Sequence, residues 1–407
     1  MIGLVLVHAL GAMVSAAVDR RAIVDTLSSP ASFFVGLIVL FSAALGLPGI
    51  ALLAVLALGV WLSPRELEAT PRATAAFGLT LAALVAWTLA RPWVPLFWDE
   101  FVWLAKARLG HAGFSGVIDA SLDPTMALIP TGYVPLWPAA VGWLSLGTDS
   151  IETHVLAASL LVVACAAVAL EAWWEELAAA RGWALVIVLS APLVLVHLKS
   201  NYVDLPVGLL GLALLGRLLH GRAGLGSLCL AIALAAFKDE GATQVLSASV
   251  ATVVVTGLRE SWRRLGPLLA AFVTFALWRV LLVQHGVEVR DHALNAPAWG
   301  WLSSFARLLL LHAGDVLTWG VTWAVVLGVV VRRASDRQSR ALRWMLAGNV
   351  LLMTTALVFG PERVRVFAEN GTLLNRLLLQ SWPAAAMLLV AATVRVPEGP
   401  ALTDRAA

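Results

Sequence analysis

The sequence predicts an all-α protein that crosses a membrane many times, and three observations support this fold class. Of the 407 residues, 60% are hydrophobic and 13% are charged, whereas a soluble domain carries roughly 25% charged residues. Apolar runs approaching about 20 residues, the length that crosses a bilayer, recur along most of the chain. The runs do not alternate in polarity, which excludes a membrane β-barrel. We therefore expect a polytopic transmembrane helical bundle.

Hydropathy divides the chain into about thirteen predicted spans, several of them short. They are placed at 1–17, 31–46, 48–62, 73–91, 153–172, 183–198, 203–220, 223–237, 241–258, 265–283, 313–331, 341–359 and 375–394. The Leu47-Pro48-Gly49 sequence leaves open whether residues 31–62 form two spans or one kinked helix. Because the first segment lacks a basic start, we interpret it as a membrane helix and not as a cleaved signal peptide.

The spans suggest three parts of the chain. N-terminal transmembrane helices occupy 1–72, a larger transmembrane domain occupies 73–394, and a short cytoplasmic tail follows at 395–407. Two long outer loops are expected, at about 92–152 and 284–312. In the first of them, residues 131–147 contain two prolines and two tryptophans, which favours an interfacial helix over a span.

Arginine clusters predict the orientation. One cluster, at 259–264, and another, at 332–343, are separated by an even number of predicted spans. Because basic residues concentrate on the cytoplasmic side, both clusters should lie there, with the protein in the cytoplasmic membrane. The pI of about 9.2 does not indicate a nucleic-acid partner, since the basic residues are scattered between apolar runs.

The predicted topology gathers acidic residues on the outer side, beginning with the pair Asp99 and Glu100. Apolar residues recur after Asp99 at three- and four-residue intervals, so we expect an amphipathic interfacial helix with Asp99 at or near its first turn. An acid there stabilises the helix N-terminus. Alternatively, the carboxylate acts as a general base toward a hydroxyl or holds a cation.

A second polar site precedes the predicted span at 203–220 and contains Lys199, Asn201, Tyr202 and Asp204. Asp204 stands two residues before Pro206, so it is expected to cap the following helix. Its three neighbours add hydrogen-bond donors within one turn of chain, more than a cap requires. The two interpretations are a simple helix cap and a ligand-binding site.

A third site, Lys238-Asp239-Glu240, interrupts a stretch that otherwise resembles one long span. A charge at mid-span costs about 2.5–3.5 kcal/mol, so charges at membrane depth are functional candidates. The alternative is a hairpin turn, allowed by Gly241, with its charges in water. If the site is functional, Lys238 suits a phosphate and the two acids suit a ligand rich in hydroxyls.

The fourth candidate is Arg376, which enters the last span from the outside close to Asn375 and Gln380. A guanidinium at the interface can bind a lipid phosphate with two hydrogen bonds. The alternative is that its head reaches ordinary lipid headgroups while its stem lies in the membrane.

Motifs for other chemistries are absent from the sequence. It contains no GxGxxG, no Walker A run, no HExxH and no nucleophile elbow. The eight histidines are dispersed, and Cys165 and Cys229 both lie in apolar runs. We therefore expect no cofactor and no dedicated metal site. The alternative is a divalent ion at the outer acids.

Five segments together resemble the GT-C class of membrane glycosyltransferases, in particular the bacterial branch related to protein mannosyltransferases and aminoarabinose transferases. They follow in order over residues 73–394: Trp98-Asp99-Glu100-Phe101, Gly132-Tyr133-Val134-Pro135-Leu136-Trp137-Pro138, Asn201-Tyr202-Val203-Asp204-Leu205-Pro206, Lys238-Asp239-Glu240-Gly241 and Asn375-Arg376-Leu377-Leu378-Leu379. The departures from the family pattern are the spans before residue 73 and Val134, where proline is more common.

The resemblance implies a function and assigns roles. The donor is a sugar linked to polyprenyl phosphate, and the acceptor is a glycan, lipid or protein on the extracytoplasmic side. Asp99 is implied as general base with Glu100 in support, while Asp204, Lys238 and Arg376 face the donor sugar and its phosphate. The implied reaction is an inverting single displacement, and residues 73–394 form the catalytic domain.

Two other hypotheses come from different classes of protein. A transporter or lipid flippase would use the outer carboxylates and Lys238 as part of a pathway. A transporter is expected to show matched halves, and the sequence shows no such internal symmetry. A scaffold without catalysis predicts that Asp99→Asn leaves function unchanged.

Overall fold

A computed structural model describes residues 2–19, 26–27, 29–46, 49, 98–126, 132–145, 150–178, 191–197, 200–288, 295–331 and 336–393. These residues are helical or in connecting loops, and no strand occurs among them. The all-α fold class is thereby confirmed for the described part of the chain. The boundary proposed at residue 72 and the tail at 395–407 lie outside it, as do the predicted spans at 48–62 and 73–91.

Among the described residues up to 256, there are two N-terminal helices, three helices of the predicted first loop and six further helices. They are α1 (Ile2–Asp19), α2 (Ala31–Leu45), α3 (Trp98–Arg108), α4 (Phe114–Leu122), α5 (Leu136–Leu144), α6 (Ile151–Ala172), α7 (Trp174–Ala178), α8 (Pro192–His197), α9 (Asp204–Leu219), α10 (Leu225–Phe237) and α11 (Asp239–Thr256).

The second half adds α12 (Leu258–Ser261), α13 (Gly266–Gln284), α14 (Trp301–Ala313), α15 (Val316–Trp319), α16 (Thr322–Val331), α17 (Arg337–Phe359), α18 (Glu362–Glu369) and α19 (Thr372–Thr393). Short 3-10 turns occupy Leu109–Ala112 and Trp262–Arg264. The predicted span at 313–331 is divided into α15 and α16, because Gly320 between them adopts a φ of 58°, a conformation that favours glycine.

Four of the described helices are long and apolar enough to cross a membrane, which supports a membrane protein. They are α6, α13, α17 and the segment Leu373–Ala392 of α19. Shorter apolar helices include most of α1, all of α2 and all of α10. The predicted count of thirteen spans is therefore not confirmed. Of the prediction at 183–198, only α8 and the residue before it are described.

Helices α9 and α10 form the centre of the bundle. Every residue of α10 is buried, and in α9 only Leu209 is partly exposed. Helix α9 packs against α6, α11 and α19, and α10 packs against α2, α11 and α13. Gly208 lets α9 and α19 approach closely, since a Cβ there would lie 2.4 Å from the Gln380 carbonyl oxygen. This approach brings the start of α9 beside the polar residues of α19.

The helices of the first loop pack into this bundle. Helix α5 has nine residues, or roughly 13 Å of length, which is too short to cross a bilayer. The prediction that this segment is not a membrane span agrees with that length. The helix nevertheless differs from one lying on a surface, because its only partly exposed residue is Trp143. The Trp137 ring lies 5.1 Å from the Phe237 ring at the end of α10. The first loop is therefore held against the core of the bundle.

Described members of the two predicted arginine clusters lie at one end of the bundle. Glu260 joins them, because its Oε1 is 3.0 Å from Arg264 Nη2 and 3.8 Å from Arg337 Nη2. This proximity agrees with the expectation that both clusters share a side. Asp239 begins α11, whereas Glu260 lies just after the other end of that helix. The acidic sites and the arginine clusters are thus separated by the length of α11.

Candidate functional site

The site is built around a break between α10 and α11. Helix α10 ends at Phe237, Lys238 is extended with φ −165° and ψ 150°, and α11 begins at Asp239. The predicted interruption is therefore present, but the predicted role of Gly241 is not. Gly241 lies inside the first turn of α11, where a Cβ would be 1.8 Å from the Leu234 carbonyl oxygen. The glycine permits close packing of the two helix ends, and the turn itself is made by Lys238.

Lys238 is buried and paired with acids. Its Nζ is 2.7 Å from Asp204 Oδ1 and 3.2 Å from Glu240 Oε1. The side chains of Lys238 and Asp204 are 2% and 1% exposed. A turn with all its charges in water is thereby excluded for Lys238. Because removing an ion pair from water is costly, this pair needs the additional hydrogen bonds that surround it.

The Asp204 carboxylate is shared by donors from α19 and from the break between α10 and α11. Besides Lys238, Arg376 Nε lies 3.1 Å from Oδ2, and Gln380 Nε2 donates to Oδ1. The residue preceding α9 is Val203, and no side-chain cap hydrogen bond is made there. The carboxylate therefore joins three helix ends instead of acting as a simple cap, while its place in the first turn still favours the charged form.

Arg279 is a member of the site that sequence reasoning missed. It lies in α13, and its guanidinium forms an ion pair with Asp239 Oδ2. The signal was present, because Arg279 is the only charged residue in α13, and a charge within an apolar helix marks a functional candidate. With Arg279 included, three acids and three bases lie together in two groups of ion pairs that meet at the adjacent residues Lys238 and Asp239. The first group contains Asp204, Lys238, Glu240 and Arg376, and the second contains Asp239 and Arg279.

One edge of this charged network, defined by those six residues, is partly open. The side chains of Glu240 and Arg376 are each 25% exposed, and that of Arg279 is 22% exposed. The Arg376 guanidinium also stands 4.9 Å from the centre of the Tyr202 ring, a cation–π arrangement. The network thus has a buried interior, formed by Asp204 and Lys238, and a partly accessible rim that carries two guanidinium groups.

A second set of contacts joins the first loop to the residues before α9. Glu100 is fully buried, and its Oε1 accepts a hydrogen bond of 2.8 Å from the Asn201 backbone N–H. Trp137 Nε1 donates to Asn201 Oδ1 at 3.1 Å. Glu100 and Asn201 therefore connect α3 and α5 to the segment that carries Tyr202 and Asp204.

Two predicted site residues have less structural description. Asp99 lies in the first turn of α3, as predicted from the amphipathic pattern. Lys199 lies outside the described residues. The other eight predicted residues take part either in the charged network or in the contacts between the first loop and the segment before α9. They are Glu100, Asn201, Tyr202, Asp204, Lys238, Asp239, Glu240 and Arg376.

Tyr133 is a further residue beside the network. Burial raises the pKa of its phenol well above the ordinary value, and the charges of Glu240 and Asp239 raise the pKa further. The ring lies 5.9 Å from the Trp103 ring, and Trp278 Nε1 donates to the Gly132 carbonyl oxygen at 3.1 Å. The phenol therefore stays neutral. The sequence offers one indication of this role, since the chain has only two tyrosines and both, Tyr133 and Tyr202, lie beside the charged network.

The described residues contain no cluster of three or more His, Cys, Asp or Glu side chains arranged to hold a metal ion. At the site, the available chemistry comes from carboxylates, guanidinium groups, the Lys238 ammonium and the phenols of Tyr133 and Tyr202. Compared with protein families, with curated proteins and with solved structures, the chain matches none.

Proposed function

We propose that the protein is a glycosyltransferase of the cytoplasmic membrane that moves a sugar from a polyprenyl-phosphate donor to an acceptor on the extracytoplasmic side. One observation carries the proposal. Residues that the GT-C resemblance assigns to a single site, far apart in the chain, are joined by direct contacts: Glu100 with Asn201, and Asp204 with both Lys238 and Arg376.

The proposed reaction is a single displacement at the anomeric carbon of the sugar. Asp99 takes the proton of the acceptor hydroxyl while the oxygen forms a bond to that carbon. The bond from the carbon to the phosphate oxygen breaks, and polyprenyl phosphate leaves with the electron pair. A carboxylate base on one side of the sugar and cations on the other meet the charge requirements of this step.

Arg376 is the group best suited to the leaving phosphate. It stands at the partly open rim, and guanidinium groups bind phosphate with two parallel hydrogen bonds. Lys238, which was predicted to face phosphate, is buried against Asp204 and Glu240. We therefore assign Lys238 a positioning role: it fixes the Asp204 carboxylate, which in turn holds the Arg376 guanidinium. Asp204, which the resemblance places at the donor, has a side chain that is only 1% exposed, so it acts through Arg376.

The test uses purified full-length protein in proteoliposomes with a panel of polyprenyl-phosphate sugars and a cell-envelope extract as acceptor. We expect release of polyprenyl phosphate with at least one donor, and a fall of at least about a hundredfold in Asp99→Asn. Asp123→Asn is the matched control, because Asp123 belongs to the same loop and only binds Thr125 in a local turn. Absence of release with every donor contradicts the proposal.

One observation favours transport as a second candidate function. Next to Gln380 in α19, buried Ser381 accepts a hydrogen bond from Asn349 Nδ2, which also donates to Gln244 Oε1, both at 3.3 Å. Polar side chains thus extend from the charged network into the bundle. A transporter predicts movement of labelled lipid-linked sugar across the bilayer without release of polyprenyl phosphate, so the same proteoliposomes distinguish the two functions.

A further inference from the structure

The arginine-rich end of the bundle carries a second polar surface, distant from the charged network. It consists of Arg264, Arg337 and Arg340 around Glu260, and we refer to these four residues as the arginine patch. Helix α11 separates the patch from the charged network by 18 residues, or about 27 Å. That distance is close to the roughly 30 Å thickness of a bilayer core, so the patch stands at headgroup depth if the charged network stands at the opposite surface.

The arginine patch has an excess of positive charge. The Glu260 Oε1 atom serves both Arg264 and Arg337, at 3.0 Å and 3.8 Å. Arg340 is exposed and, together with Arg264, repels the charge on Arg337. Glu260 therefore serves two guanidinium groups with a third beside them, while the neighbouring Asp336 carboxylate accepts a hydrogen bond from the Ser339 backbone N–H. An added anion would lower the mutual repulsion of the three guanidinium groups.

Arg337 also has hydrogen-bond donors without acceptors. Its Nε and Nη2 atoms are shielded from solvent, and neither donates a hydrogen bond to any described residue. The contact of Nη2 with Glu260 is 3.8 Å long, which is beyond hydrogen-bond range. A phosphate oxygen is the acceptor whose geometry and charge match this edge of a guanidinium.

The patch is tied to α9 by a hydrogen bond and has an apolar border. Arg264 Nη1 donates to the Leu218 carbonyl oxygen at 3.0 Å, which ties the turn after α12 to the end of α9. Beside it, Leu258 and Trp262 are 64% and 53% exposed. Tryptophan is enriched where a membrane meets water. A headgroup with attached acyl chains satisfies the guanidinium groups and this border together, whereas a free phosphate satisfies only the first.

We propose that the arginine patch binds the phosphate of an anionic phospholipid. Arg337 donates to the phosphate, Arg340 and Arg264 supply charge, and Leu258 and Trp262 contact the acyl chains. This site is independent of the sugar-transfer activity proposed above. It also accounts for the Arg337 Nε and Nη2 donors, which have no hydrogen-bond acceptor among the described residues.

The experiment measures lipid retention by native mass spectrometry. Full-length protein is extracted from nanodiscs of phosphatidylcholine with or without phosphatidylglycerol. We expect phosphatidylglycerol to stay bound to the wild type, and each of Arg337→Gln and Arg340→Gln to weaken retention about fivefold. Arg307→Gln, an exposed arginine of α14, is the matched control and should retain lipid like the wild type.

A stability measurement distinguishes a lipid from a soluble anion. Phosphatidylglycerol should raise the melting temperature of the wild type and not that of Arg337→Gln, whereas inorganic phosphate should leave both unchanged. Equal retention of phosphatidylglycerol by the wild type and both patch variants overturns the proposal. An equal stabilisation of the wild type by inorganic phosphate overturns it as well, because the patch would then be a site for free anions.

Discussion

The two ends of α9 carry buried charges with different surroundings. At its start, Asp204 contacts Lys238, Arg376 and Gln380. In its last turn, Arg217 is equally buried and lies 3.3 Å from Glu171. A negative charge at the N-terminus and a positive charge at the C-terminus both interact favourably with the helix dipole, so each stabilises its end of α9. Burial and ion pairing alone therefore do not separate a functional site from a structural one.

The ends differ in how their partners are arranged. Arg217 Nε donates to Ser227 at 3.1 Å, and Ser29 donates to Glu171 at 3.2 Å, so hydroxyl groups complete a pair of one acid and one base. At the Asp204 end, the charges continue through Lys238 to Glu240, whose shielded Oε2 atom accepts no hydrogen bond from any described residue. A network with a partly open rim and a spare acceptor can accommodate a ligand, whereas the Arg217 pair serves to hold helices together.

At the Arg217 end, a large effect on stability is expected without an effect on activity. Arg217→Met leaves Glu171 without this cation, and breaking a buried pair by removing one member costs about 3–5 kcal/mol. We expect a large fall in melting temperature in nanodiscs, with sugar transfer per folded molecule unchanged. A fall in activity with unchanged stability would place Arg217 in the functional site and remove the distinction between the ends.

The largest expected effect on activity is at the Asp204 end. Asp204→Asn keeps the shape of the side chain but removes the charge that holds Lys238 and Arg376. We expect transfer to fall at least about a hundredfold, equivalent to about 2.7 kcal/mol of transition-state stabilisation. Initial rates are compared at equal amounts of folded protein, with Asp123→Asn as control. A rate within about twofold of the wild type would show that Asp204 is structural.

A smaller effect is expected for Arg376→Lys at the rim. The ammonium keeps the charge but loses the planar fork of donors, so contacts with both Asp204 and a phosphate cannot be made together. We expect the KM for the lipid-linked donor to rise about tenfold while the melting temperature changes little. Donor titrations check the KM, and Arg307→Lys is the control for a general effect of this exchange.

The smallest effect is expected at Asn349, which lies in the bundle between the two ends. Asn349→Leu removes two hydrogen bonds of 3.3 Å but also a carbonyl oxygen, Oδ1, that has no partner among the described residues. Such bonds between membrane helices contribute about 0.6 kcal/mol on average. We expect stability to change by less than about 1 kcal/mol, with transfer retained. Loss of transfer would indicate a pathway through the bundle and favour transport.

The members of the Asp204 end could be predicted from the sequence, but not their pairing. Asp204, Lys238 and Arg376 are visible as charges that border or interrupt apolar runs. Arg376 lies 172 residues from Asp204, and their contact depends on the close approach of α9 and α19 that Gly208 permits. Nothing local in the sequence specifies that approach, because it arises from packing between distant helices.

Two residues show where local reasoning failed. Arg279 lies within the predicted span at 265–283, where the mean hydropathy of the window conceals a single charge among apolar residues. Gly241 was assigned to a turn on its general preference, whereas the structure uses it for close packing and forms the turn with extended Lys238. The all-α class could be predicted from the sequence, because composition and long apolar runs determine it without any tertiary information.

The most direct test compares polyprenyl phosphate release by the wild type, Asp204→Asn and Arg217→Met in the same proteoliposomes, each normalised to folded protein. The account predicts release by the wild type and by Arg217→Met, with release at least about a hundredfold lower in Asp204→Asn. Equal release by all three proteins, or no release by the wild type from any lipid-linked sugar, would contradict it.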